Sequence, residues 1–142
     1  MMKRVLILAA IFGIAAPAAS AFALPPLPKF VAEIYGEKEE YAKFTKMYAE
    51  LEGKCSMCHT PGADKKAKGH GLNDFGKVMH EKFNDDEFKA AAKTAATDPA
   101  AAAKAKELVA SALKASEEAK NADGKAYGDL IKEGVLPSKN EK

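Results

Sequence analysis

The 142-residue sequence has no tryptophan, two cysteines and three histidines, and its one arginine is Arg4. Each scarcity excludes something. A four-ligand structural zinc site would need further cysteines or well-spaced histidines. No stretch alternates as a strand does, which removes the strand-helix-strand setting of a thioredoxin-like dithiol. No apolar run is long enough to span a bilayer comfortably: the longest, from Val5 to Ala16, falls short of the roughly 20 residues required.

What is there begins with a leader. Met1-Met2-Lys3-Arg4 is a short basic start, the apolar run follows, and small residues occupy 17–23, the layout of a secretory signal. Cleavage after Ala23 is expected, giving a signal peptide over 1–23 and a single mature domain over 24–142. Of the 22 basic side chains, Lys3 and Arg4 leave with the leader, which brings the rest level with the 20 acidic ones. A near-neutral mature chain argues against general nucleic-acid binding and against anionic membranes. Export implies a periplasmic or otherwise extracytoplasmic location, with no stable membrane insertion once the signal is gone.

The stretch around which the chain is organised is Cys55-Ser56-Met57-Cys58-His59. Two thiols and an imidazole at this spacing suit covalent attachment of haem. Each cysteine can form a thioether with one vinyl group, and His59 then serves as an axial iron ligand. Cys55, Cys58 and His59 are therefore the expected cofactor-binding residues for one haem c per chain, and no thiol remains for a structural disulfide. A large apolar cofactor would also supply core that a small Ala- and Lys-rich chain lacks.

A second iron ligand must come from elsewhere. Beyond His80 the sequence contains neither methionine nor histidine. Phe75, Val78, Met79 and Phe83 share one helical face, so Met79 is the first choice of metal ligand alongside His59. His80 at the border of that face, His70 between Gly69 and Gly71, and no protein ligand at all remain open. Gly76, lacking a side chain, offers a place where a flat group could approach the helix. Met47 sits on a helical stripe and is read as core.

The rest reads as helices and turns. Leu24-Pro25-Pro26-Leu27-Pro28 is expected to be an extended leader toward Phe30 and Val31. An amphipathic helix is expected over 37–53, its stripe formed by Tyr41, Phe44, Met47, Tyr48 and Leu51. Thr60-Pro61-Gly62 turns the chain into a polar loop with Lys65, Lys66 and Lys68. Asn73 caps a helix running to about Phe83, Asn84 caps one through Ala96, and Pro99 opens one to about Lys120. A last helix over 125–133 ends at Gly134, with Tyr127, Leu130 and Ile131 inward, and 138–142 is expected to fray.

With these residues in view, the chain resembles small periplasmic single-haem c-type cytochromes of the class I kind. The resemblance rests on Cys55, Cys58 and His59 and covers roughly 40–83 and 124–134. It implies an all-α, cytochrome c-like fold around one covalent haem, with the Ala-rich segment 88–120 as an extra helical piece. It also implies that the helix from Tyr41 to Leu51 crosses the one from Tyr127 to Ile131, Gly128 permitting the approach. Met79 comes earlier than the distal methionine of such proteins, and the absent tryptophan removes any role of that residue near the propionates.

The expected function is transfer of one electron between redox partner proteins, with no enzymatic activity; the sequence leaves oligomeric state open. The alternative is a haem peroxidase or small-gas-binding protein with an open or displaceable sixth position. Peroxide chemistry needs a positioned acid or base, for which only His70 or His80 is available, without an arginine to assist.

Overall fold

The computed structural model describes residues 27–64 and 68–140. The leader over 1–23, the segment Leu24 to Pro26 and Lys65 and Lys66 lie outside the described residues. Among the described residues the chain is all-α. It has six α-helices and three short 3-10 turns, and the only β-type pairings there are isolated bridges, His59 with Leu72 and Lys120 with Ala126. No helix among them is long and apolar enough to cross a membrane.

The first helix, α1 (Leu27–Gly36), replaces the extended leader expected at Leu27 and Pro28. Pro28 sits in the first turn, where a missing N–H costs no intrahelical bond. Phe30, Val31 and Tyr35 then fall on one buried face, the spacing of an amphipathic helix. A 3-10 turn at Glu39–Tyr41 leads into α2 (Ala42–Glu50), which buries Phe44 and Tyr48. Met47 is half-buried and packs against the core. The cysteine motif follows as a 3-10 turn, Lys54–Met57.

The two side-chain caps read from the sequence form, and Asp98 ahead of Pro99 adds a third. Asn73 caps α3 (Asp74–Lys82), Asn84 caps α4 (Asp85–Thr94) and Asp98 caps α5 (Pro99–Glu118). Their side-chain oxygens accept from the backbone N–H of Gly76, Glu87 and Ala100 at 2.7, 3.2 and 2.9 Å. Each satisfies a donor that the first helical turn would leave without a partner. The last helix, α6 (Tyr127–Lys132), stops ahead of Gly134, whose φ of +78° suits glycine. Beyond it Leu136 and Pro137 are buried and Pro137–Asn140 forms a 3-10 turn, while 141–142 of the expected tail lie outside the described residues.

Far from being an appendage, the Ala-rich segment supplies the spine: α5 packs against α1, α3, α4 and α6. Ala105, Val109, Ala112, Leu113 and Ser116 face inward, and small side chains let several helices approach one axis. Phe88 of α4 is fully buried, edge-on to Phe30 at 6.3 Å and tilted against Phe83 at 4.8 Å. The expected contact of α2 with α6 is present, but Gly128 faces another helix. A Cβ on Gly128 would lie 3.2 Å from Glu117 Cβ of α5, whereas α2 is approached by Gly134, whose Cβ would lie 3.1 Å from Lys43 Cβ.

Candidate functional site

The motif turn is held at both ends. Lys54 Nζ donates to the carbonyls of Tyr48, Ala49 and Leu51 at 3.0, 3.3 and 3.5 Å. It thus closes the C-terminus of α2, where a cation is favoured. Within the turn, Cys58 N and His59 N donate to Cys55 O at 3.1 and 2.9 Å. Cys55 is exposed, while Cys58 is half-buried with its sulfur 3.7 Å from Met79 Sδ.

Burial, and then the neighbouring Cys55, pushes the Cys58 thiol up to about 12.

His59 is oriented by a backbone arch. Gly69, His70 and Gly71 have φ of +88°, +55° and +59°, a left-handed run in which a histidine is rare. The arch turns the His70 carbonyl onto His59 Nδ1 at 2.8 Å, and Thr60 N donates to Gly71 O at 2.9 Å. A carbonyl only accepts, so Nδ1 carries the proton and the lone pair belongs to Nε2. This is the tautomer and outer hydrogen bond of a metal-ligating imidazole.

Cys58, His59, His70, Leu72, Gly76, Met79 and His80 line one open cleft of about 360 Å³ together with Leu27, Phe83 and Asp85. The volume lies in the range of small-molecule and cofactor pockets, about 300–1,000 Å³. Met79 is buried on the apolar face of α3, as its spacing predicts, while His80 is exposed at the rim with its ring 6.1 Å from that of His70. Every residue weighed from the sequence as a downstream iron ligand therefore reaches the same cleft as His59. The bare face of Gly76 is not left open to a flat group: the backbone of Cys58 lies against it.

No family model, curated protein or solved structure matches the chain. The site is therefore argued from its own donor set. Among the described residues, no three His, Cys, Asp or Glu side chains converge as a metal-binding group. Cys58, the oriented His59 imidazole and the apolar side chains of Leu27, Leu72, Met79 and Phe83 line the cleft and would suit an apolar ring held at Cys58, whereas the exposed Cys55 is not among the cleft-lining residues.

Two contributors escaped the sequence reading. Leu27 was assigned to an extended leader, yet the Phe30, Val31, Ile34 and Tyr35 spacing signals the helix that brings it to the cleft. The His70 backbone, rather than its side chain, orients His59; glycines on both sides were the available signal.

Proposed function

We propose that the chain is an exported single-haem c-type cytochrome that carries one electron between partner proteins. The observation that carries this reading is the C-x-x-C-H turn with His59 Nδ1 engaged by His70 O, opening into a cleft that also contains Met79. When bound, haem supplies a reversible one-electron iron couple. Cys55 and Cys58 would hold it by thioethers and His59 through Nε2, with Met79 as the candidate second protein ligand to its iron.

The remaining residues supply rigidity and exclusion of water. The His70 carbonyl fixes the His59 ring and strengthens it as a donor. Leu27, Leu72 and Phe83 make one wall of the cleft apolar, which favours retention of an uncharged ring system. A second reading, binding of peroxide or a small gas, draws on the two exposed imidazoles of His70 and His80 at the cleft rim.

Expression in a host that matures c-type cytochromes in its periplasm tests the assignment. Haem is expected to stay with the polypeptide through denaturing electrophoresis and to raise its mass by one haem. Both effects should disappear in a Cys55→Ala, Cys58→Ala double variant. A chain that never retains haem under those conditions would overturn the reading.

A further inference from the structure

Asn73 is more than a helix cap. It is 1% exposed, and its amide is divided between two tasks. Oδ1 accepts from Gly76 N at 2.7 Å, which is the capping bond, while Nδ2 donates to Met57 O at 2.9 Å. Its own backbone N–H donates to the next carbonyl, Cys58 O, at 3.0 Å. Two successive carbonyls of the C-x-x-C-H turn are thus bonded to one buried residue at the start of α3.

Gly76 completes the arrangement. A Cβ there would fall 2.1 Å from Cys58 O and 2.9 Å from Cys58 C, a separation that real Cβ atoms do not adopt, against backbone that has no flexible end to yield. The two residues act together: Asn73 draws the turn onto the helix, and Gly76 leaves room for it to arrive.

The other bonds of the turn do not reach α3. Ser56 N and Oγ both donate to Gly53 O, and Cys58 N and His59 N both donate to Cys55 O, all local contacts. The bonds to the Gly69-His70-Gly71 arch lie toward solvent. A 3-10 turn with poor hydrogen-bond geometry has little stiffness of its own, so its alignment with α3, and hence of Cys58 with Met79, depends on the buried link.

We propose that Asn73, with Gly76 giving it space, is the positioning residue of the attachment motif: it locks the Cys55–His59 turn onto α3, so that Cys58, His59 and Met79 share one cleft. The consequence for cofactor attachment rests on the cytochrome reading; the lock itself is testable on the haem-free chain.

Asn73→Asp and Asn73→Ser both retain an N-cap oxygen, and both lose the Nδ2 donor to Met57 O. Helix content by far-UV circular dichroism should persist. Iodoacetamide labelling of the half-buried Cys58, measured against the exposed Cys55 of the same molecule, should accelerate on the order of tenfold, the factor that loss of one buried hydrogen bond produces in a local opening equilibrium. Tyr41→Phe, which loses the bond to Glu117 and touches no cleft wall residue through it, controls for general loosening and should leave that ratio within about twofold.

An unchanged ratio in both Asn73 variants, or an equal rise in Tyr41→Phe, would reduce Asn73 to a cap and overturn the proposal. If the unmutated chain never acquires covalent haem and the ratio still rises selectively, the lock stands and only the cytochrome reading fails. In haem-bearing protein the same variants should lower the yield of attached haem per chain, whereas Tyr41→Phe should not.

Discussion

The Tyr41 hydroxyl donates a hydrogen bond of 2.9 Å to Glu117 Oε2, joining residues 76 positions apart. This contact and the seat of Gly128 on Glu117 make the last turn of α5 the point where the 3-10 turn ahead of α2 and the helix α6 meet the spine. Tyr41→Phe retains the ring and removes the bond. An expected loss of about 1–2 kcal/mol follows, at the lower end for a charge-assisted bond because Glu117 is only half-buried. Urea denaturation of Tyr41→Phe, Glu117→Gln and the double variant should reveal the coupling; full additivity would show the pair contributes nothing.

Alkaline pH should loosen the haem-free chain. Burial first, with Glu117 next for Tyr35 and Tyr41 and the Cys58 thiol next for Tyr48, raises the phenol pKa of all three tyrosines above 10.0. A raised acid favours its neutral form, so this stability is fully present below the unfolded value of about 10 and is lost as pH rises above it. Cys58, raised from 9.0 to about 12, should begin the decline earlier, from about pH 9. Urea midpoints between about pH 8 and 11 should fall accordingly, and Cys58→Ser should delay the onset toward the tyrosine range.

Two glycine substitutions should behave oppositely. Gly76→Ala drives a methyl into the Cys58 carbonyl and should cost about 3 kcal/mol or more. Gly53→Ala, with φ of −110° and nothing within 4 Å of the added carbon, should stay within about 0.5 kcal/mol. Thermal melts of the two variants side by side decide the point.

Phe88 joins α4 to the outer wall of the cleft through Phe83 and to α1 through Phe30. Its side chain is fully buried, so Phe88→Ala should cost about 3–5 kcal/mol. Chemical denaturation should show this as a lower midpoint. Substituting the exposed Phe-distal residue Lys89 to Ala should change little, since its bond to Asp85 at 3.6 Å is a surface ion pair.

Met79 can be separated from its packing role by exchange for leucine. The side chain is 4% exposed, and a volume-conserving change should cost less than about 1.5 kcal/mol. In haem-bearing protein, Met79→Leu should abolish the methionine-ligand signature in optical and magnetic circular dichroism spectra. Persistence of that signature would remove Met79 as the ligand, and the same spectra of His80→Ala and His70→Ala would then identify an imidazole in its place.

The sequence by itself determined what depends on neighbours along the chain. Asn73, Asn84 and Asp98 cap their helices because each partner lies two or three residues ahead, and the Cys55, Cys58 and His59 spacing is local by construction. Helix α1 was also legible, but its proline-rich approach outweighed the periodicity of Phe30, Val31, Ile34 and Tyr35. Tertiary structure alone decided that Gly76 receives the Cys58 backbone, that Gly128 meets Glu117 rather than α2, and that the alanine-rich helix is the spine. It also placed His70, Met79 and His80 at one cleft with His59. Capping is settled within one helical turn, whereas close approach depends on which remote surface can enter a gap. A glycine or a run of alanines shows that a gap exists without showing what fills it.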